Sequence, residues 1–298
     1  MRIGIFASDA NLSTLVDKAT QAEADGFDSF WLPQIFGIDA LSAHTLIGAT
    51  VPRLELGTAV VPTYPRHPMV LAGQALTASA ASGGRLTLGI GLSHQLVIEG
   101  MWGYSFEKPV RHMREYLSAL VPLCAGESVS FQGETLTANG GIGIEDAPPV
   151  PVMVAALGPA MLKLAAERTA GTITWMTGPK TLSEHTVPTL LKAAEAAGTG
   201  EMRVVTSLPI AVTSDVEGAR ERAARVFSVY NQLPSYRAML DREGADGPAD
   251  VAIVGSEAEV RAGVERLRSA GVTDFVASEF SSDPGVIADT RELLKSLI

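Results

Sequence analysis

Short apolar runs alternate with stretches of helical spacing from one end of the chain to the other. Arg2–Ala7 is apolar enough for a strand. In Asp9–Asp25, Leu12, Leu15, Val16, Ala19 and Ala22 recur at helical spacing, and Gly26 closes that helix as a C-terminal cap. The same alternation predicts strand Asp28–Pro33, helix Ala40–Thr50, strand Leu54–Val61, helix Met69–Ala81 and strand Arg85–Gly91. A long connection, Ser93–Pro109, precedes a helix over Val110–Leu123. Ser128–Ala138 alternates around Gly133 and reads as a small hairpin insertion. Strand Val150–Ala156, helix Pro159–Thr169, strand Gly171–Met176, helix Lys180–Ala197 and strand Met202–Val212 follow. Helices over Asp215–Gln232, Tyr236–Gly247 and Glu257–Ala270, strand Thr273–Ser278 and helix Val286–Ile298 complete the chain.

Eight strand-then-helix units are the count of a (β/α)8 TIM barrel, an α/β fold, here with a hairpin insertion. No linker or shift in composition divides the chain, so one domain over 1–298 is expected. A doubly wound sheet is the rival, but its dinucleotide fingerprint fails: Gly89-Ile90-Gly91-Leu92-Ser93-His94 has a histidine in the third glycine's place.

Composition narrows the partners. Hydrophobic residues make up 46% of the 298 and charged residues 19%, which is core-forming rather than disordered. A net charge of −10 disfavours nucleic acid and anionic membrane surfaces. The single cysteine, Cys124, sits in an apolar run and excludes an intramolecular disulfide. No apolar run reaches the length of a membrane span, and the first residues already form a strand with no signal region, so a cytoplasmic protein is expected.

A barrel builds its site from the residues that follow its strands. Those here include Ala7 and Ser8; Gln34 and Phe36; Ala59, Val60 and Thr63; Leu92, Ser93 and His94; Leu157 and Gly158; Thr177 and Gly178. Small and apolar residues with a few hydrogen-bonding groups suit a large flat cofactor better than a metal or a sugar phosphate. Ala155-Ala156-Leu157-Gly158-Pro159 and Thr177-Gly178-Pro179 each place a glycine before a proline that opens a helix, where free backbone N–H groups bind phosphate. His94, between Ser93 and Gln95, is the candidate for proton transfer. For His67 an ordinary loop position is favoured over contact with the cofactor or a neighbouring loop, and for Arg111 and His112 a solvated helix face is favoured over facing the mouth, with His44 and His185 structural or exposed. No histidine–carboxylate set has metal-ligand spacing, and no Gly-x-Ser-x-Gly elbow supports a hydrolase.

Three segments carry a family resemblance: Leu56-Gly57-Thr58-Ala59-Val60, Arg85-Leu86-Thr87-Leu88-Gly89-Ile90-Gly91 and Pro151-Val152-Met153-Val154-Ala155-Ala156-Leu157-Gly158-Pro159, with the more generic Gly26-Phe27-Asp28-Ser29-Phe30-Trp31 before them. The chain resembles the luciferase-like (LLM class) flavin- and deazaflavin-dependent oxidoreductases, in their coenzyme F420 branch. The resemblance implies a TIM barrel, usually a homodimer, with F420 (alternatively FMN) in the mouth. It implies hydride transfer to or from a small organic substrate, a non-prolyl cis bond at Ala59–Val60 behind the ring, and phosphate at Gly158 and Pro159. The full cofactor set it suggests is Gln34, Ala59, Val60, Thr63, Gly91, Ser93, Ala156, Leu157, Gly158, Pro159, Thr177 and Gly178, with His94 catalytic and no metal. Gln34 stands where many relatives carry aspartate. His94 replaces the glutamate of the sugar-phosphate dehydrogenases, whose basic phosphate-binding residues have no match, so a non-phosphorylated substrate is expected.

Overall fold

A computed structural model describes all 298 residues. Its frame is eight parallel strands: β1 (Arg2–Phe6), β2 (Ser29–Leu32), β3 (Glu55–Thr58), β4 (Leu86–Gly91), β5 (Val152–Ala155), β6 (Gly171–Trp175), β7 (Arg203–Val212) and β8 (Asp274–Glu279). Each pairs with the next, and β8 pairs with β1 through Arg2 opposite Asp274, so the sheet closes as a (β/α)8 barrel. Side chains alternate across each strand. Ile3, Ile5, Leu86, Leu88, Ile90, Val152 and Val154 face outward into the main core under the helices. Trp31, Met153, Ile173, Val205 and Val276 face inward and form a second, smaller core within the barrel. Gly57 makes room for the largest of these, since a Cβ there would lie 2.2 Å from the Trp31 ring.

The outer helices begin where capping chemistry places them. Asn11, Asp39 and Asp283 accept backbone N–H groups at the starts of Leu12–Ala24, Ala40–Thr50 and Pro284–Lys295. Proline opens Pro68–Ser82, Pro109–Cys124 and Pro159–Arg168, where its missing N–H costs no helical bond.

Several elements differ from the sequence expectation. The third strand stops at Thr58, turns through a cis Ala59–Val60 bond, and resumes as Val61–Pro62 against the upper end of β4. The Ser93–Pro109 connection contains a helix, Gln95–Gly100, and the hairpin extends to Gly140, pairing Val129–Gln132 with Thr137–Gly140. The helix expected from Lys180 starts at Pro179 and runs through a π-turn at Leu182–Thr186, because Pro188 lacks the N–H that would continue the i−4 ladder. The helix expected over Asp215–Gln232 ends at Val226 and re-forms as a 3₁₀ turn, Ser228–Gln232. Ile253–Gly255 is a strand too short to show in the pattern, and it pairs with the far end of β7.

The amino ends of the strands form a charged floor. Arg203 reaches Glu55 at 2.7 Å and Asp274 at 2.6 Å, and Arg2 pairs with Glu55 as well. Thr87 donates to Glu55 at 2.7 Å and Thr273 to Asp274 at 2.6 Å. Burial alone would raise the Glu55 pKa, but Arg203, Thr87 and Arg2 together outweigh it and hold the carboxyl below its ordinary value.

Candidate active site

Two residues beyond the inner core along each strand, the barrel's inward positions become small. Ala59, Gly91, Ala155, Ser207 and Ser278 occupy this level by the two-residue alternation, with only Phe6 and Trp175 large. Those two rings stack across the barrel with centroids 5.6 Å apart and planes 16° apart. A Cβ on Gly91 would lie 2.6 Å from Val60 Cγ2 and 3.4 Å from the Ala155 methyl. Val60, Gly91 and Ala155 therefore form a shallow apolar shelf on one side of the mouth, beside the stacked rings on the other.

Polar atoms around this level lack partners. Trp175 Nε1, Ser207 Oγ, Tyr64 Oη and Arg66 Nη1 are buried and make no hydrogen bond. Leaving such a donor unpaired costs about 1–3 kcal/mol each, so their concentration at the carboxyl ends is a feature that a ligand with acceptor atoms would satisfy. A flat ring with polar edges fits both the shelf and these donors.

The connection between β7 and β8 crosses the mouth. Phe227 packs on Trp175 and Phe280 at 5.6 and 5.2 Å, Tyr230 lies 6.2 Å from Trp175, and Tyr236 meets Tyr230 edge-on at 4.8 Å. Tyr236 reaches the opposite wall, where its ring is 5.8 Å from His94. Burial lowers the His94 pKa below 6.5 and raises that of Tyr236, so at neutral pH both are uncharged. Burial also raises the Tyr230 pKa; the neighbouring Trp175 indole N–H offsets part of that rise, although the two groups do not meet in hydrogen-bond geometry. His94 follows Ser93, whose φ of 61° turns the chain in from the end of β4.

Two helix starts face this mouth and are in different states. At Gly158, before the helix Pro159–Arg168, no side chain caps the free N–H groups, and Gly158 and Pro159 are exposed. At Gly178 the equivalent groups are taken. Glu243, on the helix Pro234–Glu243, accepts from Thr181 N at 2.7 Å and Lys180 N at 3.1 Å. A Cβ on Gly178 would fall 2.3 Å from the Glu243 carboxyl, so glycine is required to admit it. Of the two turns read as anion-binding, the structure leaves the first open and fills the second with an internal carboxylate.

The other site candidates fall into place around these features. Thr63 is buried, bonded through its N–H to Gly91 O at 2.9 Å and through Oγ1 to His112 Nε2 at 3.0 Å. His112 thus corrects the expectation of a solvated face: it stacks on Tyr64 at 4.0 Å, and burial takes its pKa down to about 4 against the opposing pull of Glu115. Gln34 spends its carbonyl on Ala40 N at 2.7 Å, which leaves only its amide N–H groups for a ligand. Leu157 O binds His185 Nε2 at 2.8 Å, Ala156 is buried in the main core, and Thr177 is buried with Oγ1 donating to Trp175 O at 3.3 Å. His44 is structural, with Nε2 on Gly57 O at 2.8 Å, and His67 caps Met69 N while bonding Thr137 O. Sequence reasoning missed Phe6, Ala155, Trp175, Ser207, Tyr230, Tyr236 and Glu243. The one available signal was the crowding of Phe227, Tyr230 and Tyr236 into ten residues of a chain with 6% aromatics.

A barrel mouth with a shelf, unpaired donors and an uncapped helix start has the features that a flat, anion-tailed cofactor would fit. The family model described as luciferase-like monooxygenase matches residues 1–274, and the chain belongs to that family. Its relatives include the 5,10-methylenetetrahydromethanopterin reductase of Methanolobus tindarius, 29% identical over 284 residues, which are 94% of this chain and 86% of that protein. The F420-dependent glucose-6-phosphate dehydrogenase of Kineococcus radiotolerans is 30% identical, with 93% of this chain and 90% of that one covered. A solved F420-dependent secondary alcohol dehydrogenase, in complex with an F420-acetone adduct, shares the fold with a TM-score of 0.83 at 21% identity, covering 100% of this chain and 98% of the other. The protein is an F420- or flavin-dependent oxidoreductase. No helix is long and apolar enough to cross a membrane.

Proposed function

We propose that this chain is an F420-dependent oxidoreductase that moves a hydride between the deazaflavin and a small, non-phosphorylated organic substrate. The observation that carries this reading is the shelf of Val60, Gly91 and Ala155 beside the unpaired donors Trp175 Nε1 and Ser207 Oγ, with the open helix start at Gly158 alongside. The Ala59–Val60 turn and Gly91 hold the flat ring, Ser93 and the Gln34 amide bind its polar edge, and the N–H groups beyond Gly158 and Pro159 bind the phosphate. When bound, the deazaflavin supplies or takes the hydride, which is the hard part of the chemistry.

The protein's own share is position and proton handling. Phe6, Trp175 and the connection above them keep water from the shelf, which strengthens every polar interaction inside. An imidazole nitrogen of His94 handles the proton. Because burial keeps that ring uncharged at neutral pH, His94 is set to accept a proton as the substrate is oxidised. In the opposite direction the same nitrogen returns it.

The alternative is an FMN-dependent monooxygenase using reduced flavin and oxygen, as the family's description suggests. Side-by-side fluorescence titration of the purified protein with F420 and FMN separates the two. Saturable F420 binding with little FMN binding supports the proposal, whereas tight FMN binding with no affinity for F420 replaces it with the monooxygenase.

The helices Ala40–Thr50 and Pro68–Ser82 contain no charged residue and expose Leu46 and Val70 at 44% and 56%. That face supports assembly as a homodimer, which sedimentation analysis with Leu46→Lys and Val70→Lys variants tests: the wild type is expected as a dimer and the variants as monomers.

A further inference from the structure

We propose that Phe227–Tyr236 is the substrate-facing wall of the mouth, with Tyr230 the specificity-determining ring and Tyr236 a positioning residue, and that the substrate is a neutral, planar, conjugated molecule bearing one hydrogen-bond acceptor, such as an aryl ketone. This rests on the reading of the mouth as a hydride-transfer site and adds the class of molecule it takes.

Charge argues first. The turns after β1, β2, β3 and β8 carry four charged side chains, Asp9, Asp39, Arg66 and Asp283. Asp9 binds Lys18, Asp39 pairs with Arg66, and Asp283 caps its helix. The turns after β5 and β6 carry none, Asp215 after β7 caps its helix, Glu99 in the β4 connection accepts from Gln95 and Phe106 N, and Glu107 and Lys108 there are exposed. Apart from Arg66 Nη1, on a guanidinium whose charge Asp39 already balances, these turns offer an ionic substrate no buried counter-charge, and burying an unpaired charge is costly. Shape argues second. Tyr230 lies between Trp175 and Tyr236, at 6.2 and 4.8 Å, in geometries that aromatic rings favour and that a further flat ring would extend. Polarity argues third. The Tyr236 hydroxyl and the His94 imidazole, on rings 5.8 Å apart, are both uncharged near neutral pH and supply a donor and a donor–acceptor to one substrate oxygen.

The wall is also fixed in place, as a specificity element must be. Arg237, next to Tyr236, ties its helix down through Asp241 at 2.8 Å, Asn231 at 3.0 Å and the carbonyl of Ala245 at 2.6 Å. Glu243 fastens the other end of that helix to the β6 turn. A connection that served only to join β7 and β8 would have no need to span the mouth as far as His94.

The test measures binding of acetophenone, cyclohexyl methyl ketone and 4-acetylbenzoate to the full chain by ligand-observed NMR. It is run without cofactor, with F420 and with FMN. In at least one of these states acetophenone is expected to bind at least tenfold tighter than either competitor. Tyr230→Phe keeps that preference and Tyr230→Leu abolishes it, while Tyr236→Phe weakens acetophenone several-fold and leaves ethylbenzene unchanged. Equal binding of the cyclohexyl ketone, tighter binding of the carboxylate, no selectivity in any state, or an unaltered Tyr230→Leu would each overturn the proposal. Aryl selectivity with FMN and not with F420 would sink the F420 reading and keep this one; F420 binding without aryl selectivity does the reverse.

Discussion

The floor and the mouth of this barrel are built on the same eight strands and treat their polar groups in opposite ways. On β7, Arg203 at the amino end binds Glu55 and Asp274, while Ser207, four residues on, is buried with no partner. On β6, Gly171 at the floor lies against the backbone of Arg203, while Trp175 at the mouth leaves its indole N–H unpaired. The floor therefore contributes stability and specificity of register, and the mouth holds groups whose partner comes from outside. Apart from Glu243, which fastens a helix to the β6 turn, substitutions at the two ends are expected to separate into loss of stability and loss of function.

The largest effect belongs to the floor. Arg203→Met leaves Glu55 and Asp274 buried without their main counter-charge and is expected to cost about 3 kcal/mol, read as a lower midpoint in urea. The floor also sets an acid limit. Glu55 has a folded pKa below its ordinary 4.5, so its stabilisation is present above that value and is lost as pH falls through the folded pKa. His44 adds to this from a different direction. Burial lowers its pKa to about 4, so between pH 6.5 and about 4 the unfolded chain binds a proton that the folded one does not, and stability falls on acidification. Replacing His44 with Gln is expected to flatten the pH dependence of unfolding in that window by up to about 1.4 kcal/mol per pH unit; an unchanged slope would remove His44 from the account.

The next effect belongs to the mouth. His94→Ala is expected to lower kcat by about a hundredfold or more with the urea midpoint unchanged, as loss of a general base does. The wild-type rate of substrate oxidation should be flat above pH 6.5 and fall as His94 becomes protonated below it. The variant should lose that limb. A smaller effect tests the closed helix start: Glu243→Ala should cost about 1–2 kcal/mol for the lost charge-assisted bonds and allow inorganic phosphate to raise the melting temperature more than in the wild type. Smallest of all, Gly91→Ala narrows the shelf against Val60, and a several-fold weaker cofactor affinity with little change in stability is expected. Equal losses of stability from His94→Ala and Arg203→Met would erase the distinction between the two ends.

The fold was legible because each strand is an apolar run of the right length and each main helix has its period and its caps, as in Ala40–Thr50 after Asp39. Of the shelf, Val60 and Gly91 were legible from the strand ends, but Ala155 was not: the pattern pointed to Ala156, one residue on, which packs into the main core instead. The wall was not legible. Tyr236 and His94 meet across the mouth from distant parts of the chain, and no local pattern records that contact. Glu243 reaches the Gly178 turn from 62 residues beyond Thr181, so the sequence shows a helix start but not its occupant. His112 sits among polar neighbours that suggest a solvated face, and only the loop after β3 folding back places Thr63 and Tyr64 against it.

A crystal structure with F420 bound would show where the mouth holds the ring and where it holds the phosphate. The ring is expected to lie on Val60, Gly91 and Ala155, with its phosphate on the N–H groups beyond Gly158 and Glu243 still seated at Gly178. A ring bound away from that shelf, or a phosphate at the Gly178 turn with Glu243 displaced, would contradict the account.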